Sequence, residues 1–351
     1  MSRQPDVALT RDAGRGIRWT DRVGARDLES LALLAGAVAF VVGATAALIA
    51  FRFASAPIAG PDSIGQFAAL ASALVALPCV AAARYLVSAR AGERLRLLDH
   101  LDIAALAIAH AIVALLGWTL LAAILAEAFL GAVVFPLAVI ALAGVATAVT
   151  AYVSFSSAIA MDSRRLALLF AAFFVLGVLA AMLSTSDPDW WKDNLSALGV
   201  TTNVSARAFN LTLIVSGFLV TSLARSATKP TGTDAPGLLS VRTCLVVLGI
   251  FLALVGAFPV DVFFVIHVGV SIGMVVAFGV LVTRLPRWMP GLPRPFIVLG
   301  WLFLALMILF GVFYGIGYYT LTAVELIGGV LVFTWVILFI RNTAALEADT
   351  P

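Results

Sequence analysis

Hydropathy along this chain alternates in long blocks, not with the period of a soluble helix or strand. Apolar runs fall at about Leu31–Phe51, Ile64–Leu86, Leu101–Leu125, Val133–Ser156 and Leu166–Leu183. Five more follow at about Ala208–Leu223, Thr243–Phe258, Val262–Val282, Phe296–Tyr314 and Leu321–Ile340. Crossing a hydrocarbon core of about 30 Å takes about 20 apolar residues as helix, because no water is there to satisfy the backbone. Each run meets or nearly meets that length, and the fifth, sixth and seventh are expected to borrow flanking residues. Pro259-Val260-Asp261 predicts a break between the seventh and eighth, since proline lacks an N–H and restricts the residue before it. The pattern therefore predicts an all-α integral membrane protein, a bundle of about ten transmembrane helices.

The polar interruptions divide the chain further. Residues 1–27 form a basic arm without an apolar stretch, which argues against a cleavable signal peptide. Residues 28–160 hold a first four-helix unit, residues 161–342 a second unit of six helices, and 343–351 a short tail. Both halves open with a span and a longer loop, carrying Asp62-Ser63-Ile64-Gly65 in one and Asp193-Asn194-Leu195-Ser196 in the other. That likeness raises a parallel repeat of four spans, Leu31–Ser156 and Leu166–Val282, with two spans appended. Gly269-x-x-x-Gly273 and Gly311-x-x-x-Gly315 have the spacing of close helix approach and are expected to pack within the monomer.

Charge turns the spans into a topology. Only 12% of residues are charged and mean hydropathy is +1.10, against roughly 25% charged residues in soluble domains. With the N-terminus inside, only Arg52, Lys192 and Arg207 of the 22 basic residues fall in outer segments, leaving 19 inside. Cytoplasmic loops carry such an excess, so both termini are expected in the cytoplasm, with the chain in a bacterial inner membrane. The arginines follow topology, so the net charge of +3 does not imply nucleic-acid binding. Cys79 and Cys244 lie inside apolar runs and form no CxxC or Cys/His metal pattern.

The second half carries a set of short motifs in a fixed order. They are Asp193-Asn194-Leu195-Ser196-Ala197-Leu198-Gly199, Ala208-Phe209-Asn210, Phe258-Pro259-Val260-Asp261, His267, Glu325-Leu326-Ile327-Gly328 and Trp335. Together they resemble a family of bacterial polytopic membrane proteins numbered nine-nine-eight among the domains of unknown function, over roughly Leu166–Asn342. That resemblance implies a multi-pass fold, and the family has no assigned activity to carry over. A more distant similarity, to Frag/DRAM-type membrane proteins, implies lipid-linked roles by analogy only.

The candidate residues gather on the outer side. His267 lies about one and a half turns inside the eighth span and Glu325 about one turn inside the tenth. Ionisable groups at that depth are costly and usually face the bundle interior or a wet cavity. They read either as a pair binding a headgroup, a cation or a proton, or as a hydrogen bond clamping two helices. Asp261 reads as part of the same rim or as a helix N-cap. Asp187, Asp189 and Asp193 read as a solvated acidic loop before a divalent-cation site, and no metal or other cofactor is expected. Trp190 and Trp191 read as interfacial anchors or as a lid. Asn194 and Ser196 read as the cap of a short helix or re-entrant turn. His110, near the middle of the third span, reads as a buried histidine bonded to a carbonyl, or as a relay. Tyr314, Tyr318 and Tyr319 read as an aromatic belt, and Arg287 and Trp288, between Pro286 and Pro290, as a rigid inner loop.

No HExxH, GxSxG or Walker signature is present, so catalytic residues are not assigned and the balance is against an enzyme. The leading expectation is a membrane protein that binds a lipid or small amphiphile in an outward-facing pocket. His267, Glu325, Asp261, Asp193, Asn194, Ser196, Trp190 and Trp191 would line it, for transport, sensing or presentation. The alternatives are an intramembrane lipid-modifying enzyme with His267 as base, and a structural or assembly protein. Membrane lipids are the expected partners; the sequence leaves oligomeric state open.

Overall fold

The computed structural model describes residues 25–92, 94–200, 204–227 and 236–349. The arm expected at the N-terminus lies outside the described residues up to position 24. Ten helices among the described residues are long and apolar enough to cross a membrane. They are α1 (Ala25–Phe51), α2 (Ile64–Arg90), α3 (Leu97–Ala128), α4 (Pro136–Ile159), α5 (Ser163–Ser184), α6 (Val204–Ala227), α7 (Pro236–Ala257), α8 (Phe264–Trp288), α9 (Arg294–Gly315) and α10 (Leu321–Asp349). The three short runs do borrow flanking residues: α5 and α7 are 22 residues long and α6 is 24. At 1.5 Å per residue even 22 residues reach about 33 Å, enough to span.

Local chemistry sets the helix ends. Ser63 Oγ accepts from Gln66 N at 3.0 Å to start α2, and Gln66 Oε1 accepts from Asp62 N at 2.9 Å. Asp162 caps α5, its Oδ1 accepting from Arg165 N at 2.7 Å, and Pro136 stands at the first turn of α4, where its missing N–H costs nothing. Two-residue strands, β1 (Ala56–Pro57) and β2 (Val133–Val134), pair antiparallel and tie the α1–α2 link to the α3–α4 link.

Within the first half α1 packs along α4, and α2 against both α3 and α4. The second half is built serially, α5 on α6, α6 on α7 and α7 on α8, with α10 returning to α5 and α9 leaning on α8 and α10. No α5–α8 seam matches that of α1 with α4, so the neighbour pattern gives the four-span repeat no support. α3, against α5 and α6, is the main joint between the halves. One core runs through both halves and includes Phe170, Phe173, Leu219, Phe278 and Trp335. Trp335 stacks on Phe339 and Phe296 and meets Phe278 edge-on. Large apolar side chains such as Ile49, Leu168, Val265 and Ile308 point outward; in lipid, that face is the solvated one.

Two expectations about spacing need correction. A Cβ on Gly311 or Gly315 would meet nothing within 4 Å, so this pair is not a packing seam within the monomer; Gly273 does abut the Phe251 ring, while Gly269 does not. The tight crossing lies at Gly217 and Gly249, where α6 and α7 bring each glycine against the other's carbonyl oxygen. Arg287 and Trp288 belong to the last turn of α8, not to a loop: Pro286 sits inside the helix two residues from its end.

Candidate functional site

The segment after α5 cannot prolong that helix. Asp187 precedes a proline, which disfavours helical backbone at that residue. Side-chain oxygens also capture backbone N–H groups: Asp189 N donates to Asp187 Oδ1 at 2.8 Å and Asp187 N to Thr185 Oγ1 at 3.3 Å. The chain then makes two short 3-10 turns, Trp190–Lys192 and Leu195–Gly199.

Two ionisable side chains hold the second turn. Leu195 N donates to Glu325 Oε2 on α10 at 2.5 Å. Ser196 Oγ lies 2.9 Å from His267 Nε2 on α8, and His267 Nδ1 lies 2.7 Å from Phe258 O. A carbonyl only accepts, so Nδ1 carries the hydrogen; in the neutral ring Nε2 then accepts from the serine hydroxyl. His267 is buried. The expected His–Glu pair is thus two separate anchors on consecutive loop residues; no bond joins His267 to Glu325 among the described residues. The reason is geometric: the backbone N–H of Leu195 takes Glu325 and the side-chain hydroxyl of Ser196 takes His267, so each group is spent on the loop.

Further along, Ser205 Oγ donates to Ala181 O at 2.8 Å and Asn210 Nδ2 to Gly199 O at 3.0 Å. Gly199 abuts Asn210 so closely that a Cβ there would overlap the amide oxygen. Ser205 and Asn210 were not among the expected site residues. The Ala208-Phe209-Asn210 motif signalled the second; nothing in the sequence signals the first.

The other expected residues divide. Trp190 is half-buried against the core, whereas Trp191 is 49% exposed, with Lys192 Nζ 5.7 Å from its ring centroid. Lys192 also pairs with Asp189 at 2.8 Å. Asp193 and Asp261 are exposed. Asp261 is not the cap of α8: Phe263 holds that position, and Pro259 O closes the turn by accepting from Phe263 N at 2.9 Å. Asn194 occupies the capping position of its 3-10 turn without a capping side-chain bond. Among the described residues its Oδ1 is buried with no partner, as is Oγ1 of Thr322 in the first turn of α10, the helix on which the loop packs. No group of three His, Cys, Asp or Glu side chains is placed to hold a metal ion among the described residues.

The Ser–His–carbonyl arrangement occurs twice. In the first half His110 Nδ1 lies 2.8 Å from Leu106 O and Nε2 lies 3.1 Å from Ser157 Oγ, joining α3 to α4.

Neither the curated proteins nor the solved structures contain a match to this chain, and the distant likeness to Frag/DRAM-type proteins finds no support. Residues 167–342 match the family described as Protein of unknown function (DUF998). That stretch runs from α5 into the last turns of α10 and contains the loop, Asn210, His267, Glu325 and Trp335. The chain is a multi-pass membrane protein belonging to the DUF998 family.

Proposed function

We propose that this protein binds the headgroup of a membrane lipid or small amphiphile at the end of the bundle formed by the 187–196 loop, α8 and α10. The observation that carries this reading is two buried oxygens there, Asn194 Oδ1 and Thr322 Oγ1, that have no hydrogen-bond partner among the described residues. Each such group costs about 1–3 kcal/mol in an empty, fully folded site, and a ligand hydroxyl or ammonium would recover that cost. Ser196 and His267 form the polar wall, Glu325 sets the loop's position, and Trp190 and Trp191 form the rim. The arginine distribution supports placing this end outside a bacterial cytoplasmic membrane, with both termini inside; a reporter fused after Pro351 and found outside the cytoplasm would overturn that placement.

The test uses Thr322→Val and Asn194→Ala protein extracted from its own membrane, with retained lipid measured by mass spectrometry. Loss of a lipid that the wild type retains supports the reading. Unchanged lipid with a higher Tm sinks it, because the oxygens are then only structural defects relieved by substitution. A lipid profile of a deletion strain complemented with wild type or His267→Ala extends the test to the cell.

The Ser196–His267 bond favours a second reading, a hydrolase or transferase acting on lipid headgroups. A serine beside a histidine whose other nitrogen is fixed by an acceptor has the form of an activated nucleophile. Labelling of Ser196 by a fluorophosphonate would support it; an unlabelled Ser196 removes it. The same Ser–His–carbonyl bonding at His110 and Ser157 favours the third reading, a structural tie, for the bond taken alone.

A further inference from the structure

The two halves of the bundle meet mainly at one end. The chain passes from α4 to α5 there, through residues 160–162. The helix that forms the main joint, α3, is buried from Ile103 to Ala111, in the half of its length nearest that end. The buried residue beyond them, Ala122, abuts Gly65 of α2 in its own half. From Thr119 to Ala128 every residue of α3 is exposed except Ala122 and Ala126, which share one face. The far part of α3 therefore stands clear of the second half.

Each half is also fastened within itself. In the first, β1 pairs with β2 at the far end, and Thr147 Oγ1 on α4 donates to Ala39 O on α1 at 2.9 Å. In the second, Glu325 and His267 hold the loop, and the glycines of α6 and α7 interlock. None of these ties crosses from one half to the other. At the joint a cavity of about 420 Å³ opens between the halves, lined by Arg84, Arg225 and Arg242 and by Asp99, Asp102 and Asp162. Asp102 of α3 crosses the joint twice: it accepts from Ser222 Oγ on α6 at 2.5 Å and pairs with Arg225 on the same helix.

We infer that the two halves rock against each other about residues 160–162, with Asp102 as the latch that holds the joint closed. Relative motion is the default between units unless their interface is large and apolar, and this one surrounds a charged cavity. Hinges form at a few residues between packed elements, which is where the covalent link lies. A rotation of about 10° there carries the far end of a helix of about 33 Å by about 6 Å. The motion does not depend on the headgroup site.

The experiment uses the full chain in nanodiscs, with Cys79 and Cys244 replaced by alanine and spin labels on Leu130→Cys and Leu183→Cys. These positions lie at the far ends of the two halves and are 83% and 84% exposed. Double electron–electron resonance reads the distance between them. The same measurement on Ile49→Cys with Leu130→Cys stays within the first half and serves as control. Asp102→Ala should enrich a second, displaced distance across the halves about fivefold or more, as loss of a half-exposed ion pair together with its neighbouring hydrogen bond does. Asp102→Asn, which keeps an acceptor for Ser222, should enrich it less. Glu127→Gln, at an exposed carboxylate of the same helix, should leave it unchanged. A cross-half distance that is the same in wild type and in both Asp102 variants overturns the inference. An equal change in the control pair overturns it as well, because the fold rather than the joint would then have loosened.

Discussion

Removing the Glu325 carboxylate should release the loop while leaving the bundle folded. Leu195 N donates to Glu325 Oε2 at 2.5 Å, a backbone donor on a carboxylate acceptor. Bonds of that class contribute about 1.5–3 kcal/mol net. The side chain is only half-buried, so the lower part of that range applies, about 2 kcal/mol. Glu325→Ala removes the acceptor. If the 192–199 segment opens as a local unit, its opening equilibrium should rise about 30-fold, at 1.4 kcal/mol per factor of ten. Glu325→Gln keeps an amide oxygen at the same place and should lose about 1 kcal/mol, a roughly fivefold change. Asp193→Ala, at an exposed carboxylate beside the same turn, should change nothing.

Amide hydrogen exchange of the loop peptide in nanodiscs, read by mass spectrometry, measures this directly. Helix peptides from α6 and α7 serve as the internal reference, because their protection reports on the whole bundle. Wild-type protection of the loop in Glu325→Ala would refute the reasoning: the loop would then be held by Ser196, Ser205 and Asn210 alone. A parallel fall in α6 and α7 would refute it differently, by showing that the loop and bundle open as one unit.

Other substitutions follow the same geometry. Gly217→Val should lower Tm sharply, since any Cβ there meets Gly249 O and Ala253 and the backbone cannot yield; overpacking costs about 1–3 kcal/mol or more. Gly311→Ala faces open space and should leave the Tm of the monomer unchanged. Trp335 is 1% exposed and its Nε1 has no partner among the described residues, so Trp335→Phe trades lost volume against a relieved donor and should fall within about 1.5 kcal/mol of wild type. Trp335→Ala should cost about 3–5 kcal/mol. Asp102→Asn weakens the α3–α6 ion pair, whose side chains are 37% and 29% exposed; solvent screening limits the loss to about 1 kcal/mol, measured as a small Tm change.

The ten spans were legible because membrane-length hydropathy is local information: a run such as Leu321–Ile340 needs no partner to announce itself. Helix ends were less legible. Arg287 and Trp288, between Pro286 and Pro290, had the look of a loop, yet α8 continues through Pro286 to Trp288, because a proline in the last turn removes one backbone donor and leaves little helix beyond it to distort. Asp261 had the chemistry of a cap but stands two residues before Phe263, the residue that holds the position. The glycine spacing misled for a different reason. GxxxG describes one helix, whereas the approach of Gly217 to Gly249 belongs to two. The candidate site shows the same limit. His267, Glu325 and Ser196 were each visible as polar residues near one membrane face. Their bonds join residues 71 and 130 positions apart, and no short-range pattern encodes that.

The two histidines decide how much of this site is scaffold. His110 donates to Leu106 O, a carbonyl four residues back in its own helix, so its ring adds one interhelical bond, the one to Ser157. His267 donates to Phe258 O, just past the end of α7, where helix carbonyls lack intrahelical partners. Its ring therefore satisfies a helix end and a loop hydroxyl together, and ties α8 to both. Ser196→Ala should cost about 1 kcal/mol, while His267→Ala leaves the α7 end unsatisfied as well and should cost about 2–4 kcal/mol. Adding Ser196→Ala to His267→Ala should then cost almost nothing more, because the serine has already lost its partner. Chemical denaturation in mixed micelles measures all three variants. Additive losses would mean that the two residues act independently, and the Ser196–His267 bond could then be neither a tie nor a prepared binding group.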